Sequence, residues 1–487
     1  MMKKAHDEDD NDDELELLGQ GAYGCAFSPE INCRTGALGK RDRVTKIQYV
    51  SDFKRRALAL REIELGKRIQ RLVPQFRYMF APILDSCPLR VETLQKSRLE
   101  KCKVVEKAKA ETAHPEFMSN TLINVGRWTL TDYFTHVMQD KQFCVASFGK
   151  GCSALMLHFL RQYTSSLMYM LQSLDVLYTK AGILHLDLKY NNVLHDEVND
   201  VPILIDFGLS AAKTWLDPAN KEEGWFTQQL PFGIVVDAYW PWCMEVVLLA
   251  HVARAVALKD GKRNAQGGYV DLVKVETKMP DDFVAMLRNA CDTFVDKSED
   301  LHIESLFTGS DREDLKVRLK AWVDAYVAGK TFKQAWMALN ASQAGWDTYA
   351  CALMYLGELN DAWILDVYQV RPVVVSKKKE EEEKDLTTTS FIKTLSNLVG
   401  LGETAAVTNS TFVARLVEVL KKIALAAPTQ RPAALDVYRL VHTLFHKLTD
   451  KAVVGKPKDD FLGTDRLRDI GARKAARQGW KSSKLPE

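Results

Sequence analysis

The sequence predicts an α+β protein with a small antiparallel sheet near the N-terminus and a larger helical part after it. Short strand-like runs broken by glycines occur in the first 125 residues, whereas long runs with apolar side chains at helical spacing follow. The 487 residues are 46% apolar and 27% charged, as in an ordinary globular protein. This composition excludes a disordered, collagen-like or disulfide-scaffold chain.

The net charge of +2 conceals two oppositely charged ends. Eight acidic residues stand among the first 16, and ten Lys or Arg residues stand among the last 37. Low hydrophobicity and runs of like charge argue against packing, so we expect flexible tails over residues 1–14 and 449–487. The near-neutral total gives no electrostatic reason to expect nucleic acid as the main ligand.

Cysteine usage and apolar runs indicate where the protein works. The nine cysteines include no C-x-x-C pair, which argues against a disulfide framework or a zinc knuckle and favours a reducing compartment. The N-terminus turns acidic without an apolar segment, and the most apolar stretch, residues 239–258, carries Glu245, His251 and Arg254. We therefore expect an intracellular, cytoplasmic protein without a membrane span.

The first element is a strand that leads into a glycine-rich loop. Residues 15–18 alternate as a strand does, and the next six residues, Gly19-Gln-Gly-Ala-Tyr-Gly24, match G-x-G-x-x-G. Residues 43–50 are typical of another strand, whereas in a dinucleotide-binding fold the glycines would open a helix. Strand, glycine loop and strand predict a hairpin that covers phosphates.

The remaining elements follow from apolar spacing and from breakers. Residues 53–72 predict a helix that Pro74 ends, and residues 153–180 predict a long helix that Gly182 closes. Further predictions are a charged surface excursion over 90–113, a strand over 117–125, a short helix over 129–136 and closing helices over 410–426 and 432–447.

Two later segments carry the most specific motifs. The first, residues 183–194, contains H-x-D-L-K-x-x-N, which begins at His185, and the second contains Asp206-Phe207-Gly208 after an apolar strand. Together with the glycine loop and with Lys46 in Val-Thr-Lys-Ile, these motifs stand in the chain order of the protein-kinase signature. The chain therefore resembles the eukaryotic-type serine/threonine protein kinases. This resemblance implies a bilobal protein-kinase-like fold with an N-lobe over 15–125 and a C-lobe over 126–448.

The resemblance implies a site for ATP in the predicted N-lobe. Lys46 would hold the α and β phosphates and needs a carboxylate partner on the following helix. Glu62 and Glu64 are the candidates and lie on different faces of that helix; Glu62 is favoured because it directly follows Arg61, as in the kinase helix. The glycine loop would contribute the remaining contacts, from Gly19, Gly21, Tyr23, Gly24 and Ala26.

The resemblance also implies the chemistry of the second motif. Asp187 would accept the proton of the substrate hydroxyl or orient that hydroxyl, and Lys189 would neutralise the γ-phosphate, as in serine/threonine-directed members. Asn192 and Asp206 would bind Mg²⁺. The implied substrates are proteins with Ser or Thr acceptors.

The sequence departs from the family at two of these positions. Leu186 replaces the Arg of His-Arg-Asp, which removes the cation that usually receives a phosphate on the activation loop. Control by activation-loop phosphorylation is therefore not expected. Ala26 stands where family members usually have Val over the adenine, which removes a small apolar contact.

The later part of the chain contains weaker matches to the family. Glu245 and Arg431 stand in segments that resemble an ion-paired kinase couple, so we predict that they pair. Asp347 is the candidate for the residue that anchors the backbone of the catalytic loop, and Asp237 is its rival. If Asp347 is the anchor, residues 250–340 are a helical insertion, with helices near 281–297, 312–328 and 330–340, that can cover the substrate groove or recruit a partner protein.

Three functions are compatible with these motifs. An active Mg·ATP-dependent serine/threonine kinase is favoured, because the lysine, both aspartates and the asparagine are retained. A kinase-shaped scaffold or structural protein and a small-molecule phosphotransferase are the alternatives. The chain also resembles the divergent kinases encoded by large DNA viruses, for which the virion would be a second location.

Overall fold

The computed structural model describes a mixed α+β protein with a small antiparallel sheet and a mostly helical remainder. The chain divides into two compact units, Met1–Arg127 with Ile205–Gly208, and Trp128–Leu204 with Leu209–Glu487. The described residues are 15–21, 24–33, 35, 37–89, 102–137, 150–218, 220, 236, 238–258, 262, 269–361, 388–398 and 409–448. Both predicted tails, Tyr23 and Asp237 lie outside these ranges.

The first unit is built on a five-stranded antiparallel sheet with the strand order β1-β2-β3-β6-β5. Its elements in chain order are β1 (Glu16–Gln20), β2 (Gly24–Ser28), β3 (Arg43–Tyr49), α1 (Phe53–Leu72), β4 (Phe80–Ala81), β5 (Asp85–Leu89), α2 (Lys103–Glu111) and β6 (Phe117–Ile123). The predicted strands at 15–18, 43–50 and 117–125 and the predicted helix at 53–72 are confirmed. The hairpin is completed by β2, which begins at the last glycine of the loop.

Alternation along β3 explains how the sheet is covered on both faces. On one face, Ile47 and Tyr49 belong to an apolar cluster that includes Val105 and Ala108 of α2. On the other face, Val44 packs with Ile63 of α1 in a second cluster, which also contains Ile83 and Leu122. Lys46 has the same parity as Val44, so β3 places it on the face that α1 covers.

The charged segment 90–113 was predicted as a surface excursion, and its second half is instead part of the core. Residues 103–111 form α2, in which Val105 and Ala108 are buried while the helix keeps its lysines and glutamates on other faces. Counting charges missed this helix because an amphipathic helix needs only one apolar stripe to pack. Residues 90–101 lie outside the described part.

The expectation that the chain lacks disulfides is wrong. The structure joins Cys25 to Cys102 and Cys33 to Cys87, with Cα–Cα distances of 6.0 and 6.3 Å. These partners are 77 and 54 residues apart and are brought together by the sheet and by α2, so no local spacing motif reveals them. The pairing removes the cysteine argument for a reducing compartment.

The second unit is mostly helical. Its helices are α3 (Leu130–Val137), α4 (Lys150–Val176), α5 (Lys213–Leu216), α6 (Met244–Val256), α7 (Leu272–Val275), α8 (Asp281–Lys297), α9 (Gly309–Tyr326), α10 (Phe332–Asn340), α11 (Trp346–Asp361), α12 (Thr388–Leu398), α13 (Asn409–Ala424) and α14 (Ala434–Leu448). Its short strands are β7 (Ile183–Leu184), β8 (Val193–Asp196), β9 (Val201–Ile205) and β10 (Ala211–Ala212), with β7 paired to β10 and β8 paired to β9. The predicted helices at 129–136, 153–180, 410–426 and 432–447 correspond to α3, α4, α13 and α14.

Long apolar helices α4 and α11 form the core of this unit. The Tyr163 hydroxyl on α4 donates to the carbonyl of Tyr355 at 2.6 Å, and Ser166 bonds the Tyr355 hydroxyl at 2.8 Å. Buried tyrosines with satisfied hydroxyls pack as apolar side chains do. Beyond α4, the chain turns at Gly182, whose left-handed conformation (φ 64°) allows the helix to end and β7 to begin.

The three helices predicted within 250–340 are confirmed as α8, α9 and α10. Thr308 and Thr331 start α9 and α10 with capping boxes, which satisfy the first free N–H groups of each helix. A partly buried ion pair joins α9 to α13, since Lys421 Nζ lies 2.8 Å from Asp311 Oδ2. Among the helices of the described ranges, none has the length and apolar character needed to cross a bilayer.

Candidate functional site

Lys46 is paired with two carboxylates of the first unit. Its Nζ lies 2.8 Å from Glu62 Oε1 and 2.9 Å from Asp206 Oδ1. The partners are 16 and 160 residues away along the chain. Glu62 is buried on α1 at 3% exposure, whereas Glu64 is exposed, so the expected choice of Glu62 as the partner of Lys46 is confirmed.

The two carboxylates keep Lys46 charged. Burial lowers the pKa of Lys46, but Asp206 and Glu62 raise it by more, so the pKa ends above its ordinary value. A lysine in this setting is a fixed positive charge and not a proton donor at neutral pH. It is therefore suited to bind an anion.

Asp206 is placed by an unusual backbone. Its φ of 59° lies in the left-handed region, and the N–H of Gly208 donates to its Oδ1 at 3.3 Å. A Cβ at Gly208 would lie 3.2 Å from that oxygen, which is a tight contact, and 3.6 Å from Glu62 Oε2, which is an ordinary one, so a larger residue would crowd Asp206. Phe207, which follows Asp206 in the sequence, packs edge to face against Phe80, with 6.3 Å between the ring centroids.

The glycine loop lies between β1 and β2. Their register pairs Gly19 with Ala26, and the register of β2 with β3 pairs Ala26 with Lys46. A Cβ at Gly24 would come within 2.3 Å of the Ile47 carbonyl oxygen, so glycine is required there for strand packing. By contrast, a Cβ at Gly19 or at Gly21 would meet nothing within 4 Å.

In the second unit, Asp187 is the centre of a hydrogen-bonded group. The Asn192 side-chain amide donates to Asp187 Oδ2 at 2.8 Å and to its backbone carbonyl at 2.8 Å. Lys189 Nζ lies 3.0 Å from Asp187 Oδ1. The structure thus brings together the three residues that the second motif predicted as Asp187, Lys189 and Asn192.

Asp347 holds the backbone that precedes Asp187. Its two carboxylate oxygens accept from the N–H groups of His185 and Leu186, at 2.7 and 2.9 Å. Burial raises the pKa of Asp347, although His185 and the two N–H groups act in the opposite direction. Leu186 has a φ of 59°, and Trp242 Nε1 donates to its carbonyl at 2.8 Å. The prediction that Asp347 anchors this loop is confirmed.

Tyr239 is a member of this group that sequence reasoning missed. Its hydroxyl donates to Asp187 Oδ1 at 2.8 Å and accepts from Lys189 Nζ at 3.2 Å. Burial, followed by the charge of Asp187, raises the pKa of Tyr239 to about 12, so its hydroxyl stays protonated near neutral pH. The only signal in the sequence was its position just before Trp240-Pro241, which gives no role for a hydroxyl.

Glu245 and Arg431 form the predicted ion pair. Arg431 Nη1 lies 3.0 Å from Glu245 Oε2, and both side chains are buried. The other terminal nitrogen of Arg431 donates to the Ala426 carbonyl at 2.9 Å, and Ser342 donates to Glu245 Oε1 at 3.1 Å. The guanidinium also lies over the ring of Tyr349, 4.7 Å from its centroid.

No protein-family model matches the chain, and no curated protein matches it.

Proposed function

We propose that this protein is a Mg·ATP-dependent protein kinase that transfers the γ-phosphate to Ser or Thr hydroxyls of protein substrates. We further propose that its two units are the small and large lobes of a protein-kinase fold. The single observation that carries the proposal is the position of Lys46 Nζ between Glu62 and Asp206. These three residues are widely separated in sequence, and the kinase motifs assign all three to the binding of Mg·ATP.

The glycine loop fits a ligand that approaches the backbone closely. Neither packing nor a positive φ requires glycine at positions 19 and 21. The open space beside them supports a role for these glycines in contact with something outside the chain. Phosphate groups bound by backbone N–H groups need this kind of access, since a Cβ would keep them away. Lys46 supplies the positive charge for the same ligand.

Mg²⁺ fits the oxygen ligands that Asn192 and Asp206 offer. The amide nitrogen of Asn192 donates to Asp187, so its Oδ1 is the atom that would bind a cation. Asp206 offers a carboxylate with a side chain 43% exposed. Among the described residues, no group of three or more His, Cys, Asp or Glu forms a metal cluster. Mg·ATP needs only one or two protein oxygens, because phosphates and water complete its shell.

The residues around Asp187 perform the protein's part of the reaction. Bound Mg·ATP would supply the γ-phosphoryl group and neutralise charge on its oxygens. The carboxylate of Asp187 would orient the acceptor hydroxyl and take its proton. Lys189 would place a positive charge beside that carboxylate. There it would neutralise the negative charge on the phosphoryl group that is transferred. Its pKa is raised, since Asp187 and Tyr239 outweigh the lowering by burial.

Activation-loop phosphorylation is not part of the proposed mechanism. Leu186 is buried and its backbone is held by Asp347 and by Trp242. These contacts fix the backbone before Asp187 without a phosphate and without the arginine that would receive one. We therefore propose that the loop is ready for catalysis as translated.

The test is phosphate transfer by purified protein with labelled ATP, Mg²⁺ and generic acidic and basic protein substrates. Asp187→Asn should lower the rate by about 10²- to 10⁴-fold, because it removes a positioned base. Asp206→Asn should also abolish most of the transfer. Asp282→Asn is the matched control, since it makes the same change at an exposed position of α8.

Equal incorporation by the wild type and both site variants would reject the enzyme. A folded wild type that binds nucleotide without transferring phosphate would favour the scaffold alternative.

A further inference from the structure

A row of polar side chains crosses the sheet of the first unit and ends on Glu62. Ser86 Oγ donates to Asn120 Oδ1 at 2.6 Å, and Asn120 Nδ2 donates to Gln48 Oε1 at 2.6 Å. Gln48 Nε2 in turn donates to Glu62 Oε2 at 2.7 Å. We call Ser86, Asn120 and Gln48 the polar row.

The register of three neighbouring strands creates this row. Asn120 on β6 lies opposite Ser86 on β5 and opposite Lys46 on β3. Gln48 stands two residues beyond Lys46, so it points to the same face of the sheet. That face is the one that α1 covers with Glu62. The row therefore runs beside Lys46 and meets Glu62 from the sheet.

The two amides are buried where an apolar side chain would normally pack. Gln48 and Asn120 are 7% and 0% exposed. Burying a carboxamide is unfavourable unless its hydrogen bonds are satisfied, and here each amide both donates and accepts within the row. Apolar side chains would fill the same volume without the unfavourable desolvation of two amides. We therefore expect the network to have a role besides packing.

The row has one direction, and that direction favours a carboxylate at its end. Each of the three hydrogen bonds is donated in the direction of Glu62, so the bonds polarise one another in the sense that stabilises negative charge. If the side-chain amide of Asn120 or Gln48 were flipped, its oxygen would face the oxygen of the next residue in the row or of Glu62, and that hydrogen bond would be lost. Glu62 Oε2 is thus held by Gln48 while Oε1 is held by Lys46.

We propose that Gln48 and Asn120 are positioning residues that hold Glu62 in the orientation in which it binds Lys46. The inference rests on the proposed function in that the anion held by Lys46 is taken to be the phosphates of ATP. Two contacts on opposite oxygens prevent the carboxylate from rotating, so Lys46 keeps its place. The row makes the Lys46 to Glu62 pair part of the sheet as well as of α1.

The first test replaces Gln48 by Met, which is close in shape and cannot donate to Glu62. We expect kcat/KM for ATP to fall on the order of tenfold, mainly through KM, since a hydrogen bond to a charged group is lost. Thr45→Val is the matched control. Thr45 is a buried polar residue of the same strand whose hydroxyl accepts from the Ile31 N–H and does not contact Glu62.

A second readout does not depend on catalysis. Lys46 in intact protein is labelled with a small amine-reactive reagent, and the labelled peptide is quantified by mass spectrometry. Labelling of Lys46 should accelerate severalfold in Gln48→Met, because a Glu62 side chain that can rotate leaves Lys46 Nζ with one fixed carboxylate partner instead of two and so more accessible to the reagent. Thr45→Val should label at the wild-type rate.

Two comparisons separate positioning from mere packing. In a Glu62→Gln background, Gln48→Met should have no further effect on either readout, because there is no longer a carboxylate to hold. Ser86→Ala, at the half-buried end of the row, should give a smaller effect in the same direction if Gln48→Met fails to fold. The proposal is overturned if the effects of Gln48→Met and Glu62→Gln are additive. If Gln48→Met does not fold, the proposal is overturned by a Ser86→Ala variant that labels and reacts like Thr45→Val.

Failure of the proposed function gives a different pattern. If the wild type transfers no phosphate but Gln48→Met accelerates Lys46 labelling, the kinase is rejected and the polar row stands. If the wild type is active but Gln48→Met matches Thr45→Val in kinetics and labelling, the row is rejected and the kinase stands.

Discussion

At the scale of single residues, the Asp187 carboxylate is occupied on both oxygens. Asn192 binds Oδ2, while Lys189 and Tyr239 both bind Oδ1. Three side chains therefore fix the orientation of this carboxylate. Two of the three were predicted from the motif, and the third, Tyr239, also accepts a hydrogen bond from Lys189.

For the proposed kinase reaction, Tyr239→Phe tests whether this hydroxyl supports catalysis or competes with the acceptor. The hydroxyl joins Asp187 to Lys189, so we expect its loss to lower kcat roughly 10- to 150-fold with KM for ATP unchanged, since a hydrogen bond to a charged group is worth about 1.5 to 3 kcal/mol and about 1.4 kcal/mol is a factor of ten in rate. Steady-state kinetics with one protein substrate measure both constants. A faster variant would show instead that Tyr239 blocks the acceptor. Tyr326→Phe, at an exposed site on α9, is the control.

At the scale of elements, the sequence predicted most helices because their apolar spacing or breakers are local. Helices α1, α8, α9 and α10 are examples. Helix α2 and the two disulfides were missed because they depend on distant partners. The apolar stripe of α2 is only Val105 and Ala108, and its importance appears only when the sheet lies against it. The polar row was missed for the same reason, because it depends on the register between three strands, and the sequence of one strand does not determine that register.

The disulfides of the first unit predict a stability that depends on reductant. Each closes a loop of more than 50 residues, for which removing a native crosslink costs roughly 2 to 5 kcal/mol of unfolding free energy. Urea unfolding with and without reductant measures the loss. Peptide mapping without reduction should recover Cys25 joined to Cys102 and Cys33 joined to Cys87. Finding all four as free thiols in protein purified without reductant would contradict the pairing. Cys351→Ala, which alters a buried free cysteine, should leave the reductant effect in place.

The ion pair between α9 and α13 predicts how firmly these two helices are held together. Lys421→Met leaves the carboxylate of Asp311 half-buried without its cation, and we expect a loss of about 1 to 3 kcal/mol in unfolding free energy at pH 7. Lys422→Met is the control, because the neighbouring lysine lies 4.0 Å from Glu418 near the surface, where pairs contribute less than about 1 kcal/mol.

The cost of Lys421→Met should depend on pH. Burial raises the pKa of Asp311, but Lys421 and Thr308 lower it by more, so the pKa lies below its ordinary value in the folded protein. A lowered carboxyl pKa contributes stability above the pKa of the unfolded chain, and this contribution disappears as pH falls through the folded value. The difference between wild type and Lys421→Met should therefore shrink in acid. A difference that stays constant down to the folded pKa would show that Asp311 and Lys421 are not coupled.

At the scale of the whole molecule, length alone suggested about three domains, and the chain divides into two units. Family-like motifs predicted contacts that local patterns cannot, such as the Glu245 to Arg431 pair across 186 residues. They could do so because motifs that occur together imply contacts between residues far apart in the sequence. Apolar periodicity, by contrast, predicts only a single helix or strand. Tyr239 and the polar row belong to neither kind of signal.

The Glu245 to Arg431 pair allows a test of long-range coupling within the second unit. Arg431→Met leaves a fully buried carboxylate unpaired, so we expect a loss of about 3 to 5 kcal/mol in unfolding free energy. Replacing Glu245 by Met in the same chain removes that stranded charge, and the double variant should be more stable than Arg431→Met alone. Some loss should remain, since Arg431 also bonds the Ala426 carbonyl and covers Tyr349. Chemical unfolding of the four proteins gives the coupling energy directly, and additive losses would mean that the two side chains stabilise the unit independently of each other.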